Sequence, residues 1–121
     1  MTLTAPHGTS SLRMPVPACG YDINLELHAD ATTLTLAGDL DAAATDALRG
    51  LLTVVHMTPN VMHVDAHGVV GADLDAFDPL LEAARARRSR GLPSIRVESL
   101  GAAVRDLFGV LGIQEQPPVV L

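Results

Sequence analysis

From Tyr21 onward the spacing of apolar residues switches repeatedly between two periods, and that alternation leaves few folds open. Ile23, Leu25 and Leu27 alternate with Asp22, Asn24, Glu26 and His28, which is the period-two pattern of a strand with one wet face. After a break at residues 29–30, Leu34 and Leu36 alternate with threonines over residues 32–37. Threonine is β-branched and suits a strand, so the two segments read as a hairpin. The period then lengthens. Leu48, Leu51, Leu52 and Val55 fall at i, i+3, i+4 and i+7, one stripe of a helix. That helix opens at Gly38-Asp39-Leu40-Asp41, where Asp39 or Asp41 caps its free N–H groups, and Thr58-Pro59-Asn60 stops it. Residues 61–64 read as a short buried central strand, and Gly68 and Gly71 punctuate the segment after it. Phe77, Leu80, Leu81 and Ala84 form a second helical stripe, which runs to about Arg90 and stops at Gly91 with Pro93 beyond. Residues 95–97 give another strand. Ser99 is placed to cap a third helix bearing Val104, Leu107, Phe108 and Leu111, which Gly112 ends.

Strands that alternate with helices imply right-handed crossovers and a largely parallel sheet. The expected class is therefore α/β: a single domain with a four- to five-stranded mixed sheet and helices mostly on one face. Residues 1–20 carry Pro6, Pro15 and Pro17 among turn residues and read as a flexible leader, leaving 21–121 as the domain. An apolar tail, residues 119–121, comes after Pro117 and Pro118.

Composition narrows the function. With 121 residues and 48% apolar content, the chain can bury a core without disulfides or metal. A lone Cys19 forms no internal disulfide, which fits a reducing cytosol. No basic residue lies near it in sequence to activate the thiol, so it reads as incidental. The net charge is −6, and all eight basic residues are arginine. An acidic chain repels a phosphate backbone, and 2% aromatic content offers no stacking platform, so direct nucleic-acid binding is not expected. No apolar stretch approaches the roughly 20 residues of a membrane helix, and no secretory signal pattern is present, so the expected location is the cytoplasm without membrane insertion. The chain contains no G-x-S-x-G, Walker-type or dinucleotide motif, and no cofactor is implied.

The element order, together with Leu36, Gly38, Leu40 and Asp41 in an L-x-G-x-L-D pattern, resembles the STAS family, which includes bacterial anti-sigma-factor antagonists. Thr45 and Leu48 come next in the first helix as the family has them. Asp65 takes the family's strand-end position, with Gly68 and Val69 after it, and Asp73 takes the first position of the family's D-S-S-G turn. The arginine-rich helix end before Gly91, the strand at 95–97 and the segment Val110-Leu111-Gly112-Ile113 complete the likeness, which covers residues 22–113.

The resemblance implies a protein-binding module and not an enzyme. It places the partner surface at Asp39, Asp41, Asp73, Leu74, Asp75 and Phe77, and it makes the expected partner an anti-sigma factor of the serine-kinase type. In such antagonists the serine after the turn aspartate accepts phosphate. In this chain that position is Leu74, and Asp73-Leu74-Asp75-Ala76 holds no hydroxyl. Asp75 is a candidate permanent mimic of the phosphate's charge, although a carboxylate carries less charge and fewer acceptors. Pro79 is a second departure. A helix starting at Asp75 would lose a backbone hydrogen bond to it, whereas a start with Asp78 as cap and Pro79 first is sound chemistry, so a reshaped loop is expected before the second helix.

Other motifs have plainer readings. His63, Asp65 and His67 share one face of an ideal strand and form a candidate metal triad, but a strand end running into a loop is the simpler reading. Asp73 and Asp75 read as helix-start acids before they read as a catalytic pair. Arg85, Arg87, Arg88 and Arg90 read as a solvated helix end that complements the dipole. Two alternatives to an antagonist stay open: a STAS subunit of a lipid-transport or stressosome-type assembly, and a small metal-dependent hydrolase built on His63, Asp65 and His67. The sequence leaves monomer and homodimer equally open.

Overall fold

A computed structural model describes residues 10–13, 20–113 and 118–121. In chain order the elements are β1 (Ser10–Arg13), β2 (Tyr21–Leu27), β3 (Ala31–Leu40), α1 (Ala42–Val55), β4 (Val61–Ala72), α2 (Asp78–Ser89), β5 (Ile95–Leu100), α3 (Ala102–Leu111) and β6 (Val119–Val120). They form one mixed sheet whose strands lie in the order in which they occur in the chain. β3, β4 and β5 are parallel, while β2 pairs antiparallel with β3, β1 with β2, and β6 with β5. The α/β class and the mixed sheet are as the sequence implies. Two short edge strands, one in the segment read as leader and one in the apolar tail, raise the strand number to six. The remainder of residues 1–19, Cys19 included, lies outside the described residues.

The sheet has two unlike faces. Ile23, Leu25, Leu34, Leu36, Met62, Val64, Ala66, Ile95 and Val97 are buried and share one apolar cluster with Leu48, Leu52, Leu80, Val104 and Phe108 of the helices. The opposite face carries Asn24, Glu26, Thr33, Thr35, His63, Asp65, Arg96 and Glu98, which are half-buried or exposed. Among the described residues no helix covers that side, and polar side chains alternate with apolar ones as such a sheet requires.

β4 corrects the sequence reading most. Its strand does not end near Asp65 but runs to Ala72. The glycines taken as punctuation sit inside it where β3 side chains come close, the Ala37 methyl group beside Gly68 and the Asp39 carboxylate beside Gly71. A Cβ on Gly68 would stand 3.0 Å from that of Ala37, and the ladder with β3 shifts register at that point. β5 likewise continues through Ser99 to Leu100, so Ser99 is a strand residue and Gly101 is the N-cap of α3. A Cβ on Gly101 would lie 2.7 Å from the His67 carbonyl oxygen.

The end of the sheet away from the β3–α1 and β4–α2 junctions is tied by Arg87. This side chain is fully buried, not solvated. Its Nε donates to the Pro93 carbonyl, Nη1 to those of His56 and Thr58, and Nη2 to that of Asn60, each at 2.8 Å. One guanidinium thus satisfies carbonyls from the α1–β4 and α2–β5 loops, and its burial lowers its pKa from the ordinary arginine value. The signal was present in the sequence: Arg87 continues the buried stripe of Leu80, Ala83 and Ala84.

Candidate functional site

Parallel strands end together, and here that brings two loops side by side. Leu40 of β3 pairs with Ala72 of β4, and Asp73 N–H donates to the Leu40 carbonyl at 3.0 Å. The β3–α1 junction and the β4–α2 turn therefore form one surface at the carboxyl ends of β3 and β4, where ligands of parallel sheets gather.

Each predicted residue has a definite place. Asp41 is the N-cap of α1: its Oδ1 accepts from Ala44 N–H at 3.0 Å, while its carbonyl accepts from the Thr45 hydroxyl at 3.0 Å. Of the two aspartates considered as caps, it is this one. Asp39 is exposed and sits over Gly71, where a Cβ would come within 2.6 Å of its Oδ1. Gly38 holds the bend before it. Its φ of +81° is in the left-handed region, a Cβ there would collide with the Gly20 carbonyl, and that same carbonyl accepts from Asp39 N–H at 2.8 Å.

The β4–α2 turn is reshaped as Pro79 requires. α2 begins at Asp78, with Pro79 in its first turn and Phe77, not Asp78, at the cap position without a side-chain hydrogen bond. Asp73 to Phe77 form tight turns closed by Ala76 N–H to the Asp73 carbonyl (3.0 Å) and Asp78 N–H to the Asp75 carbonyl (3.1 Å). Asp73, Leu74 and Asp75 are all exposed. Phe77 is the exception among the predicted surface residues. It is 1% exposed and meets the Phe108 ring edge-on, with centroids 5.3 Å apart. Its part is to anchor the turn to α3, and it presents no contact surface of its own. The surface gains a residue that the sequence reading passed over, Val70, which is 74% exposed near the end of β4. Its signal was visible only once β4 was known to extend past Gly68.

The candidate metal triad does not assemble. His63, Asp65 and His67 do share the open face, but His63 Nδ1 lies 2.6 Å from Glu98 Oε1, and His67 Nδ1 lies 2.6 Å from Asp65 Oδ1. No group of three His, Cys, Asp or Glu side chains among the described residues is placed to hold a metal ion. Burial would raise the Asp65 pKa, but hydrogen bonds from the His67 ring and backbone N–H, with the charge on His67, outweigh it and bring it below the ordinary value. A groove between α1 and α2, bridged by Arg49 and Glu82 at 3.4 Å, is lined mainly by helix side chains and includes none of the loop aspartates.

A family model described as "Mlab, STAS domain" matches residues 23–121. The chain belongs to the STAS family. Two solved structures share this domain's fold. The anti-sigma factor antagonist SpoIIAA in its unphosphorylated form superposes with a TM-score of 0.65 at 16% identity, over 74% of this chain and 80% of that one. An anti-sigma factor antagonist from Mycobacterium paratuberculosis superposes with a TM-score of 0.62 at 17% identity, over 91% of this chain and 83% of that one. No curated protein matches the chain. Among the described residues, this STAS domain has no helix long and apolar enough to cross a membrane.

Proposed function

We propose that this STAS domain is a non-catalytic regulatory module of the anti-sigma-factor-antagonist kind. It acts in the cytoplasm by sequestering a serine-kinase-type anti-sigma factor through Asp39, Asp41, Asp73, Leu74 and Asp75. The observation that carries the reading is the convergence of the Asp41-capped start of α1 with the Asp73–Phe77 turn on one exposed surface. The antagonists that share the fold support it. With Leu74 where the resemblance places the phosphorylatable serine, the module binds its partner irrespective of that partner's kinase activity, as a constitutive antagonist.

A second reading, a STAS subunit of a lipid-transport or stressosome-type assembly, fits the same domain and family match. One experiment separates the two. The full chain and its Leu74→Ser variant are used to capture partners from the native cytoplasm, identified by mass spectrometry, and the recovered partner is then supplied with ATP. Recovery of a serine-kinase-type anti-sigma factor that phosphorylates the hydroxyl introduced at position 74, and leaves the parent unmodified, supports the antagonist reading. Recovery of a transport ATPase or a sensor complex overturns it in favour of the second.

A further inference from the structure

Leu74 is 62% exposed and Val70 74%, so the carboxyl end of β4 and the turn after it leave two large apolar side chains in water. Five exposed carboxylates belong to the same end of the sheet: Asp39, Asp41, Asp73, Asp75 and Asp78. None of the five is in an ion pair among the described residues. Elsewhere on the surface several acids are answered locally, Glu82 by Arg49, Glu98 by His63 and Arg96, and Asp65 by His67, while the exposed Asp30 and Asp106 stand singly, not in a group. The arginines of α2 give no help here. Arg87 and Arg88 lie in its last turn, at the opposite end of that helix from Asp78.

An exposed Leu74 flanked by Asp73 and Asp75, neither in an ion pair among the described residues, defines its complement. An exposed leucine gains most by entering an apolar pocket that excludes water. Carboxylates around it gain only if the rim supplies cations, and they reject a rim of their own sign. A second copy docked face to face would set five carboxylates against five. We propose that this end of the sheet docks a protein partner whose contact surface is an apolar pocket rimmed by arginine or lysine, with Leu74 as the anchor inside it. The inference rests on the reading of this end as the partner surface and adds what the partner must look like. The acidic rim sets the rate and salt dependence of association, and Leu74 sets how long the complex lasts.

The test uses the full chain and, one at a time, the purified serine-kinase-type anti-sigma factors of the source genome, with affinity measured by titration calorimetry at about 50 and about 300 mM salt. The variants are Leu74→Asp, the double variant Asp73→Asn/Asp75→Asn, and Val54→Asp as a control at an apolar side chain exposed elsewhere, on α1. Circular dichroism and thermal melting confirm that each folds. Expected are a loss of about 100-fold or more for Leu74→Asp, a parent affinity that falls about tenfold with added salt, a weaker salt dependence in the double variant, and no change for Val54→Asp. Binding that survives Leu74→Asp and ignores salt overturns this inference and leaves the proposed function standing. Failure of every such anti-sigma factor to bind the parent chain overturns the proposed function and this inference with it. Sedimentation showing a dimer of the chain alone that Leu74→Asp dissolves overturns the inference by making a second copy the occupant.

Discussion

The two ends of the parallel strands handle charge in opposite ways. At one end a single cation, Arg87, is wholly buried and directs its donors to four backbone carbonyls. At the other, five carboxylates stand in water without an ion-pair partner among the described residues. Desolvated charge contributes to stability only through complete hydrogen bonding, whereas solvated charge contributes little to folding; of the five, Asp41 alone makes a side-chain hydrogen bond among the described residues, as the cap of α1. The Arg87 end thus holds the fold together, and the aspartate end is the one we propose meets a partner.

The sharpest way to break that comparison is Arg87→Ala. It leaves four carbonyls of two loops without a donor, and we expect a loss of about 3–5 kcal/mol in urea unfolding. Arg87→Lys should recover only part of this, because one ammonium cannot reproduce the guanidinium fork. A loss under about 1 kcal/mol for Arg87→Ala would show that these loops hold without their cation. At the aspartate end, Asp41→Ala removes the cap of α1 and should cost about 1 kcal/mol, read as a lowered denaturation midpoint. Asp41→Asn, which keeps the acceptor, should cost much less.

Asp65 offers an acid test of the open face. Its pKa is lowered on folding, so its contribution is present above the ordinary aspartate value of about 3.9 and disappears as pH falls through the lower folded value. Stability measured from neutral pH down to about pH 2 should therefore fall less steeply in Asp65→Asn than in the parent. The smallest expected effect is that of Leu74→Ser on folding, within about 0.5 kcal/mol by thermal melting, because the side chain it removes is mostly in solvent. A large loss there would make Leu74 a structural residue and remove the contrast between the two ends.

The sequence made the helices, the hairpin and the alternation of the sheet legible because each buries a periodic stripe. It also located the β3–α1 junction and the β4–α2 turn in the chain, since Asp41 caps α1 and Pro79 restricts the start of α2 locally. β4 was legible only to Val64. Whether a glycine ends a strand or admits a neighbouring side chain is decided by that neighbour, here Ala37 beside Gly68. Arg87 stands among three exposed arginines; its place on the stripe of Leu80, Ala83 and Ala84 marks it as buried, but the carbonyls from two other segments that hold it emerge only in the fold. The family resemblance put Phe77 on the partner surface while its place on the stripe of Phe77, Leu80 and Ala84 pointed inward, and the stripe prevails: Phe77 packs against Phe108.

The β4–α2 turn is held at its base by one backbone bond to Leu40 and at its exit by a buried phenylalanine, while the side chains of Asp73, Leu74 and Asp75 between them make no hydrogen bond or ion pair among the described residues. Such a segment is an exchangeable cassette. Three consecutive side chains can be exchanged with little effect on the architecture that displays them, so what this turn presents to solvent can change while the domain itself stays unaltered.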